Sequence, residues 1–524
     1  MWEFSRINSF IFSYYKNNQT KLILHTCTAL VLSYILVPTF KSCLEYILIN
    51  KKLDNNQESK REDKYTTGLI NSSTYCFINS SLQALSSLPK FTIYLNETLK
   101  ITYGFIQNNH LSSNIERSKI SPLDDYGSLR QIIPLHIAVS EFLFDLQKIV
   151  TKPTSTSVRQ LIKVLEVSVH LKFNNGQQDA HEITQILLET LKNENKVLDQ
   201  TFKKSGESQM VVPEFPFLGC QTDSLICLTC NRTSNVREHE FIILTLHLPR
   251  IQSDTLLNTI NKNQVEEITD YACLVCQINS ILANEEYLKR NNNGKTINAE
   301  ESRYIDTLRQ LVPKICINEE LPDDVIYYIK SYNKNGLNVC QKIRSKIIKK
   351  TVITKAPLAL ILHLSRSSYN GMISVRNSCN IAYDSKLELQ SQSITDNICS
   401  DIVNNKYSLQ AMVKHTGTHM EGHYQCYRKK PNLVKRISYE QNGNDIIKKY
   451  DIINRTPVIQ LKLDVDNNMQ QRTIGVLESK TKKLNSIKSK PYWKISDTDI
   501  SEVTENQVIN ESKYVYMLYY DLAS

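Results

Sequence analysis

Cys76 and His423 stand 347 residues apart, each in a local context that suits acyl transfer. Cys76 opens the run Cys76-Phe77-Ile78-Asn79, and Ile78, Leu82 and Leu85 recur at i, i+4 and i+7. That spacing predicts a helix which begins at the cysteine and is ended by Pro89. A thiol at a helix start lies in the positive end of the macrodipole and beside unpaired backbone N–H groups, which favours thiolate and can hold an oxyanion. Asn71, five residues upstream in the polar stretch 71–74, adds an amide donor to such a hole. The histidine half reads as a hairpin. Tyr407, Leu409, Ala411, Val413 and His415 alternate along one strand, 416–422 turns, and His423 opens the return strand on one face with Gln425 and Tyr427. Gly422 is expected to leave room for a substrate backbone beside the imidazole. A lone cysteine or histidine is more often structural; the two together, with these flanks, point to a thiol hydrolase.

The stretches Gly68-Leu69-Ile70-Asn71 with Cys76-Phe77-Ile78-Asn79-Ser80 and Leu82-Gln83, Gln177-Gln178-Asp179-Ala180-His181-Glu182, and Gly422-His423-Tyr424 resemble the ubiquitin-specific proteases, papain-like deubiquitinating enzymes, in order, spacing and neighbours. The similarity covers about residues 64–521. It implies an α+β papain-like hand of thumb, palm and zinc-bearing fingers, with Cys76 as nucleophile, His423 as general base and acid, and Asn71 as oxyanion donor. The family places a third catalytic member in a tryptophan-containing strand past the histidine, here Tyr492-Trp493-Lys494-Ile495-Ser496-Asp497. Counting from Trp493 selects Asp497. Aligning Ile495 and Ile500 selects Ser496, slightly favoured, as in a membrane-anchored subgroup with an orienting serine. Either oxygen can hold the imidazole in the tautomer that accepts the thiol proton.

Gln177 to Glu182 opens another predicted helix, with an apolar stripe of Ile183, Ile186, Leu187 and Leu191 and with Asp179 and Glu182 in its first turn. Acids there ordinarily stabilise the helix end. By resemblance, this box lines the channel for ubiquitin's C-terminal tail, whose arginines pair with the carboxylates. The expected substrate-binding set is Gln178, Asp179, Glu182, Gly422 and Tyr424. One departure stands out: the family's usual Gly-Asn-Thr before the nucleophile is Ser73-Thr74-Tyr75 here. A serine forced to positive φ costs about 1 kcal/mol. The competing reading is therefore a catalytically impaired ubiquitin-binding membrane protein.

Two CxxC knuckles, Cys227-x-x-Cys230 and Cys273-x-x-Cys276, can close a tetrahedral thiolate site. The resemblance places this site in fingers that grip the body of ubiquitin, and four protein ligands make the zinc structural rather than catalytic. Thirteen cysteines, an odd number, argue against a disulfide framework and for a reducing compartment. The net charge of +10 is spread over polar inserts without an aromatic-basic stripe, which argues against nucleic acid and for solubility or attraction to a membrane surface.

Leu22 to Phe40 runs uncharged between Lys21 and Lys41 with ten Leu, Ile, Val and Phe residues, about one bilayer thickness. The expected plan is a short tail (1–21), a transmembrane helix (22–40), a polar tether (41–63) and a catalytic domain (64–521). Lys41, Lys51, Lys52, Lys60 and Arg61 outnumber Arg6, Lys16 and Lys21, which puts the catalytic part in the cytosol. The resemblance to the serine-using subgroup tilts the membrane towards the mitochondrial outer membrane over the endoplasmic reticulum. Insertions near 281–350 and 430–490 are rich in Lys and Asn. The first is expected as a surface insertion within the palm with helical stretches such as Tyr304 to Leu311, the second as mostly mobile chain with strand-like patches at Val458 to Leu463.

Overall fold

The computed structural model describes residues 61–523 except 62, 72–73, 113–129, 174–177, 207–209, 292–298, 335, 370–371, 373, 393, 396–397, 400, 419–420, 432, 443–444, 455–456, 459–476 and 484. The predicted membrane segment and Gln177 lie outside the described residues. Among the described residues, no helix is long and apolar enough to cross a membrane.

The half that carries the cysteine is helical. β1 (Thr67–Leu69) pairs in parallel with β2 (Thr154–Thr156) and leads into α1 (Cys76–Leu85). Helices α2 (Pro89–Ser112), α3 (Pro134–Gln147), α4 (Arg159–Val169) and α5 (Ala180–Lys204) build the thumb, and buried residues of all four share one apolar core with α1. The sequence period predicts one apolar face for α1, yet all ten of its residues are buried. Its polar side chains permit this because they are paired internally. Ser80 and Ser81 hydroxyls each donate to the Phe77 carbonyl at 3.0 Å, and the Gln83 amide donates to the Thr67 carbonyl at 2.8 Å. Left unpaired, each would cost about 1–3 kcal/mol.

The fingers are a four-stranded antiparallel sheet. β3 (Gly219–Cys227), β4 (Arg237–Phe241), β6 (Val265–Tyr271) and β7 (Ser345–Lys355) run in the order β4-β3-β7-β6. Beyond their tip, α6 (Leu274–Asn291), α7 (Ala299–Leu311) and α8 (Asp323–Ser331) pack with the four knuckle cysteines into a separate apolar cluster that includes Ile278, Leu308, Ile317, Val325 and Ile347. The 281–350 segment is thus a helical cap on the fingers, not an addition to the palm; its spaced apolar residues have the cysteine cluster to pack on.

The palm is an eight-stranded sheet. It contains β5 (Ile243–His247), β8 (Ala359–Ser365), β9 (Lys386–Ser391), β10 (Val403–Gly417), β11 (Gly422–Lys429), β15 (Tyr492–Ser496), β16 (Asp499–Val503) and β17 (Val515–Leu522). The order is β16-β15-β11-β10-β17-β8-β5, with β9 also on β10, and only β8 and β5 pair in parallel. Period-two alternation sends Ala411, Val413, Tyr424, Cys426 and Tyr519 towards α1, and Met412, Tyr427, Leu518 and Tyr520 into a second core on the far side. Between β11 and β15, the 430–490 segment contains β12 (Leu433–Asn442), β13 (Asp445–Asn454) and β14 (Leu477–Lys483) in a small sheet ordered β13-β12-β14. Polar composition concealed this ladder, whose partners lie within the insertion itself, while 459–463 of the expected strand-like patch lie outside the described residues.

Candidate active site and four-cysteine site

The fold brings the two distant halves together because α1 lies directly on β11. Cys76, at the first position of α1, is 4% exposed. Burial pushes its thiol up. Against this, the backbone N–H of Tyr424, the residue after His423, favours the thiolate, as do the N–H groups of Phe77 and Cys76; Asp497 pushes the thiol up further. The helix-start argument therefore holds in direction, but desolvation outweighs it. The resting group is a thiol that needs a base.

His423 is the second residue of β11, one place in from the start that the hairpin pattern predicts, with Thr416 directly opposite it on β10. Its Nε2 lies 2.8 Å from Ser496 Oγ and 3.9 Å from the nearer Asp497 carboxylate oxygen. Gln425, on the same strand face, donates to Ser496 Oγ at 3.2 Å. Of the two residues considered as the orienting group, Ser496 makes the hydrogen bond to the imidazole.

Asp497 does something else. It takes a left-handed φ of 53°, which places both its carbonyl and its carboxylate against the cysteine half. The carbonyl accepts the Leu69 N–H at 2.9 Å. The carboxylate accepts from Asn71 Nδ2 at 3.0 Å through one oxygen and from Asn79 Nδ2 at 2.8 Å through the other. The close approach explains Gly68: a Cβ there would come within 2.9 Å of Thr498 Cα and 3.0 Å of the Asp497 carbonyl oxygen. Asn71 Oδ1 accepts the Tyr75 N–H at 3.0 Å, so its amide plane is held from both ends. Sequence reasoning considered Asp497 only as a histidine partner. Its clamp depends on β1 meeting the turn after β15, which no local pattern announces.

The substrate-binding set divides. Glu182 is exposed and Gln178 half-buried. Asp179 caps α5 by accepting the His181 N–H at 2.7 Å, and its other carboxylate oxygen accepts the Tyr516 hydroxyl. Gly422 does not leave open space: a Cβ would fall 2.3 Å from His415 Nε2 and 2.4 Å from the Thr416 carbonyl oxygen. Tyr424 is 5% exposed, its ring stacked on His415 at 4.3 Å. What it offers the cleft is its N–H. His415 is in turn held by Arg376, which donates to Nδ1 at 3.1 Å. Tyr516 and the role of His415 escaped sequence reasoning because their strands are buried on both faces, and Arg376 because it reaches His415 from a short strand far away in sequence.

Cys227 and Cys230 at the end of β3 meet Cys273 and Cys276 at the start of α6. All four are free thiols with sulfurs within 4.8 Å of one another, 3.6 Å for Cys227 to Cys276 and 3.7 Å for Cys230 to Cys273. Metal–sulfur bonds of about 2.3 Å in a tetrahedron give edges of about 3.8 Å. The donor set fits a tetrahedral, thiolate-bound ion.

The sequence profile of the ubiquitin carboxyl-terminal hydrolase family matches residues 67–520. The chain belongs to that family. It is 36% identical over 468 residues to ubiquitin carboxyl-terminal hydrolase 16 of Saccharomyces cerevisiae, covering 87% of this chain and 90% of the relative. It is 23% identical over 431 residues to the protein of the same name from Emericella nidulans, covering 72% and 64%. Among solved structures, the SAGA Ubp8/Sgf11/Sus1/Sgf73 DUB module bound to ubiquitin aldehyde aligns with 89% of this chain and 71% of that one, at 17% identity and a TM-score of 0.46. Membership makes this hydrolase a cysteine-type deubiquitinase, and the competing reading of an impaired ubiquitin binder finds no support.

Proposed function

We propose that this hydrolase cleaves the bond after the C-terminal glycine of ubiquitin with Cys76 as nucleophile and His423 as base. The observation that carries the assignment is the 2.8 Å contact of His423 Nε2 with Ser496, on a strand packed against the helix that begins with Cys76. With Nε2–H donated to Ser496 Oγ, the lone pair sits on Nδ1, and that nitrogen takes the thiol proton. The thiolate attacks the glycine carbonyl carbon. The oxyanion is held by the Asn71 amide, oriented by Asp497, and by the N–H of Cys76. Collapse of this adduct breaks the C–N bond, the His423 proton leaves with the lysine amine, and a water deprotonated by His423 releases ubiquitin from the thioester. The Asp497 carboxylate, 3.9 Å from Nε2, stands beside the imidazole without hydrogen-bonding to it.

Exposed Glu182, with Gln178 beside it, meets the arginines of the ubiquitin tail, while Asp179 keeps the start of α5 in place beneath them. Zinc held by Cys227, Cys230, Cys273 and Cys276 ties the fingers to their helical cap, its role structural because all four positions are filled by protein. The uncharged run 22–40 anchors the enzyme in an intracellular membrane, with the catalytic domain (64–521) cytosolic behind a tether, and the use of Ser496 favours the mitochondrial outer membrane. Hydrolysis of ubiquitin bearing a fluorogenic C-terminal amide tests the assignment: wild type turns over, Cys76→Ala is inactive and His423→Ala is severely slowed. An active Cys76→Ala protein overturns it.

A further inference from the structure

Arg428 is 1% exposed, a cation removed from water, and among the described residues none of its hydrogen-bond partners is a carboxylate. Its Nη1 donates to Gln83 Oε1 at 2.8 Å and Thr66 Oγ1 at 3.3 Å, and its Nη2 to the Leu146 carbonyl at 3.2 Å, while Nε has no partner among the described residues. The guanidinium also lies 5.5 Å from the Trp493 ring. A buried charge without compensation is expensive, so something must replace the missing acid. Gln83 is in the last turn of α1 and Leu146 in the last turn of α3. Each helix C-terminus carries about half a negative charge. The Leu146 carbonyl at the end of α3 brings such a partial charge directly to the guanidinium, the Gln83 side-chain oxygen adds its dipole, and the Trp493 ring face contributes as well.

The partners are also the elements of the active site. Gln83 lies two turns along the helix that starts with Cys76. Arg428 lies five residues beyond His423 on β11. Trp493 lies three residues before Ser496. Thr66 precedes β1, which leads to Asn71, and Gln83 Nε2 donates to the Thr67 carbonyl of β1 at 2.8 Å. We infer that Arg428, through Gln83, is the positioning residue that sets where Cys76 stands against His423 and Ser496, by fixing the slide of α1 along β11. Seven helical residues span about 10 Å and five strand residues about 17 Å, so the pair acts from well outside the cleft.

The inference rests on the catalytic assignment of Cys76 and His423, and its test separates the two. Steady-state kinetics with the fluorogenic ubiquitin amide are measured for Gln83→Leu, Gln83→Glu, Arg428→Met and Arg428→Lys, with pH profiles of iodoacetamide alkylation read by mass spectrometry on the Cys76 peptide. Gln83→Leu removes the acceptor, so kcat falls at least about tenfold with KM within about twofold, and the alkylation profile shifts; misplacement by 1 Å can cost about a hundredfold. Gln83→Glu keeps an oxygen for Arg428 but loses the donor to the Thr67 carbonyl, so it restores kcat only in part. Arg428→Met is as impaired as Gln83→Leu, and Arg428→Lys is intermediate because it lacks the planar fork. If Arg428→Met does not fold, the two Gln83 variants decide alone. The inference is overturned by a Gln83→Leu protein with near-normal kcat and an unmoved alkylation profile, by Gln83→Glu as impaired as Gln83→Leu, or by kcat losses that only track the unfolded fraction. Turnover by Cys76→Ala would instead sink the catalytic assignment.

Discussion

Asp497→Asn separates the clamp on Asn71, which Asp497 makes, from the orientation of His423, which falls to Ser496. Asparagine tolerates the left-handed φ of 53° at this turn, so the backbone stays. The carboxylate gives one oxygen to Asn71 Nδ2 at 3.0 Å and the other to Asn79 Nδ2 at 2.8 Å. An amide has a single oxygen, so one of those donors must face another N–H. Losing a hydrogen bond to a charged group costs about 1.5–3 kcal/mol, and tenfold in rate corresponds to about 1.4 kcal/mol. If the cost falls on the orientation of Asn71, the rate drops by about ten- to a hundredfold, towards the limit of about 10²–10³ for deleting an oxyanion donor. The charge has a second, opposite consequence. Asp497 helps to push the Cys76 thiol up, so neutralising it moves the pH profile of Cys76 alkylation by iodoacetamide to lower pH. Ser496→Ala removes one neutral hydrogen bond from His423, worth about 0.5–1.5 kcal/mol, or roughly two- to tenfold. In rate measurements with the fluorogenic ubiquitin amide, Asp497→Asn therefore has a lower plateau than Ser496→Ala, and its Cys76 alkylation profile begins at lower pH. A plateau within twofold of wild type, or an alkylation profile moved upwards, refutes the reasoning.

Three further outcomes follow from the same structure. Glu182→Gln raises KM for ubiquitin substrates by up to about fivefold, the value of an exposed ion pair, with kcat unchanged; a kcat loss at constant KM would place Glu182 elsewhere. Elemental analysis finds one zinc per chain in the wild-type protein and none after Cys227→Ser with Cys273→Ser, and loss of the metal lowers the melting temperature; wild-type protein as stable without metal would remove its structural role. Burial pushes the Asp521 carboxyl up to about 7, against 3.8 for an ordinary aspartate. The folded state then holds its proton more tightly than the unfolded one, so stability falls as pH rises from about 4 to about 7. Asp521→Asn flattens that slope in thermal melts, and an unchanged slope would assign it to other groups.

The residues whose meaning is local were readable in advance. The helix at Cys76, the hairpin turning before His423 and the paired knuckles each rest on spacing within a few residues, and the structure has α1 at Cys76–Leu85, β10 and β11 joined at the turn, and four sulfurs in one cluster. What escaped depends on which distant surfaces meet. Gly422 is filled by His415 from across the hairpin, and the Tyr424 ring is turned into the core. The Asp497 clamp requires the Gly68–Asn71 stretch to dock on the turn after β15, and the buried Arg428 requires two helix ends to converge. In the 430–490 segment, strand pairing with its own neighbours overrode a composition that reads as unstructured.

Reaction with ubiquitin whose C-terminus carries an electrophile, followed by mass spectrometric mapping of the linkage, tests the central claim most directly. One covalent ubiquitin per chain, attached at the Cys76 sulfur and absent from Cys76→Ala, is the expected result; attachment at another of the thirteen cysteines, or ubiquitin bound with no covalent link, would contradict it.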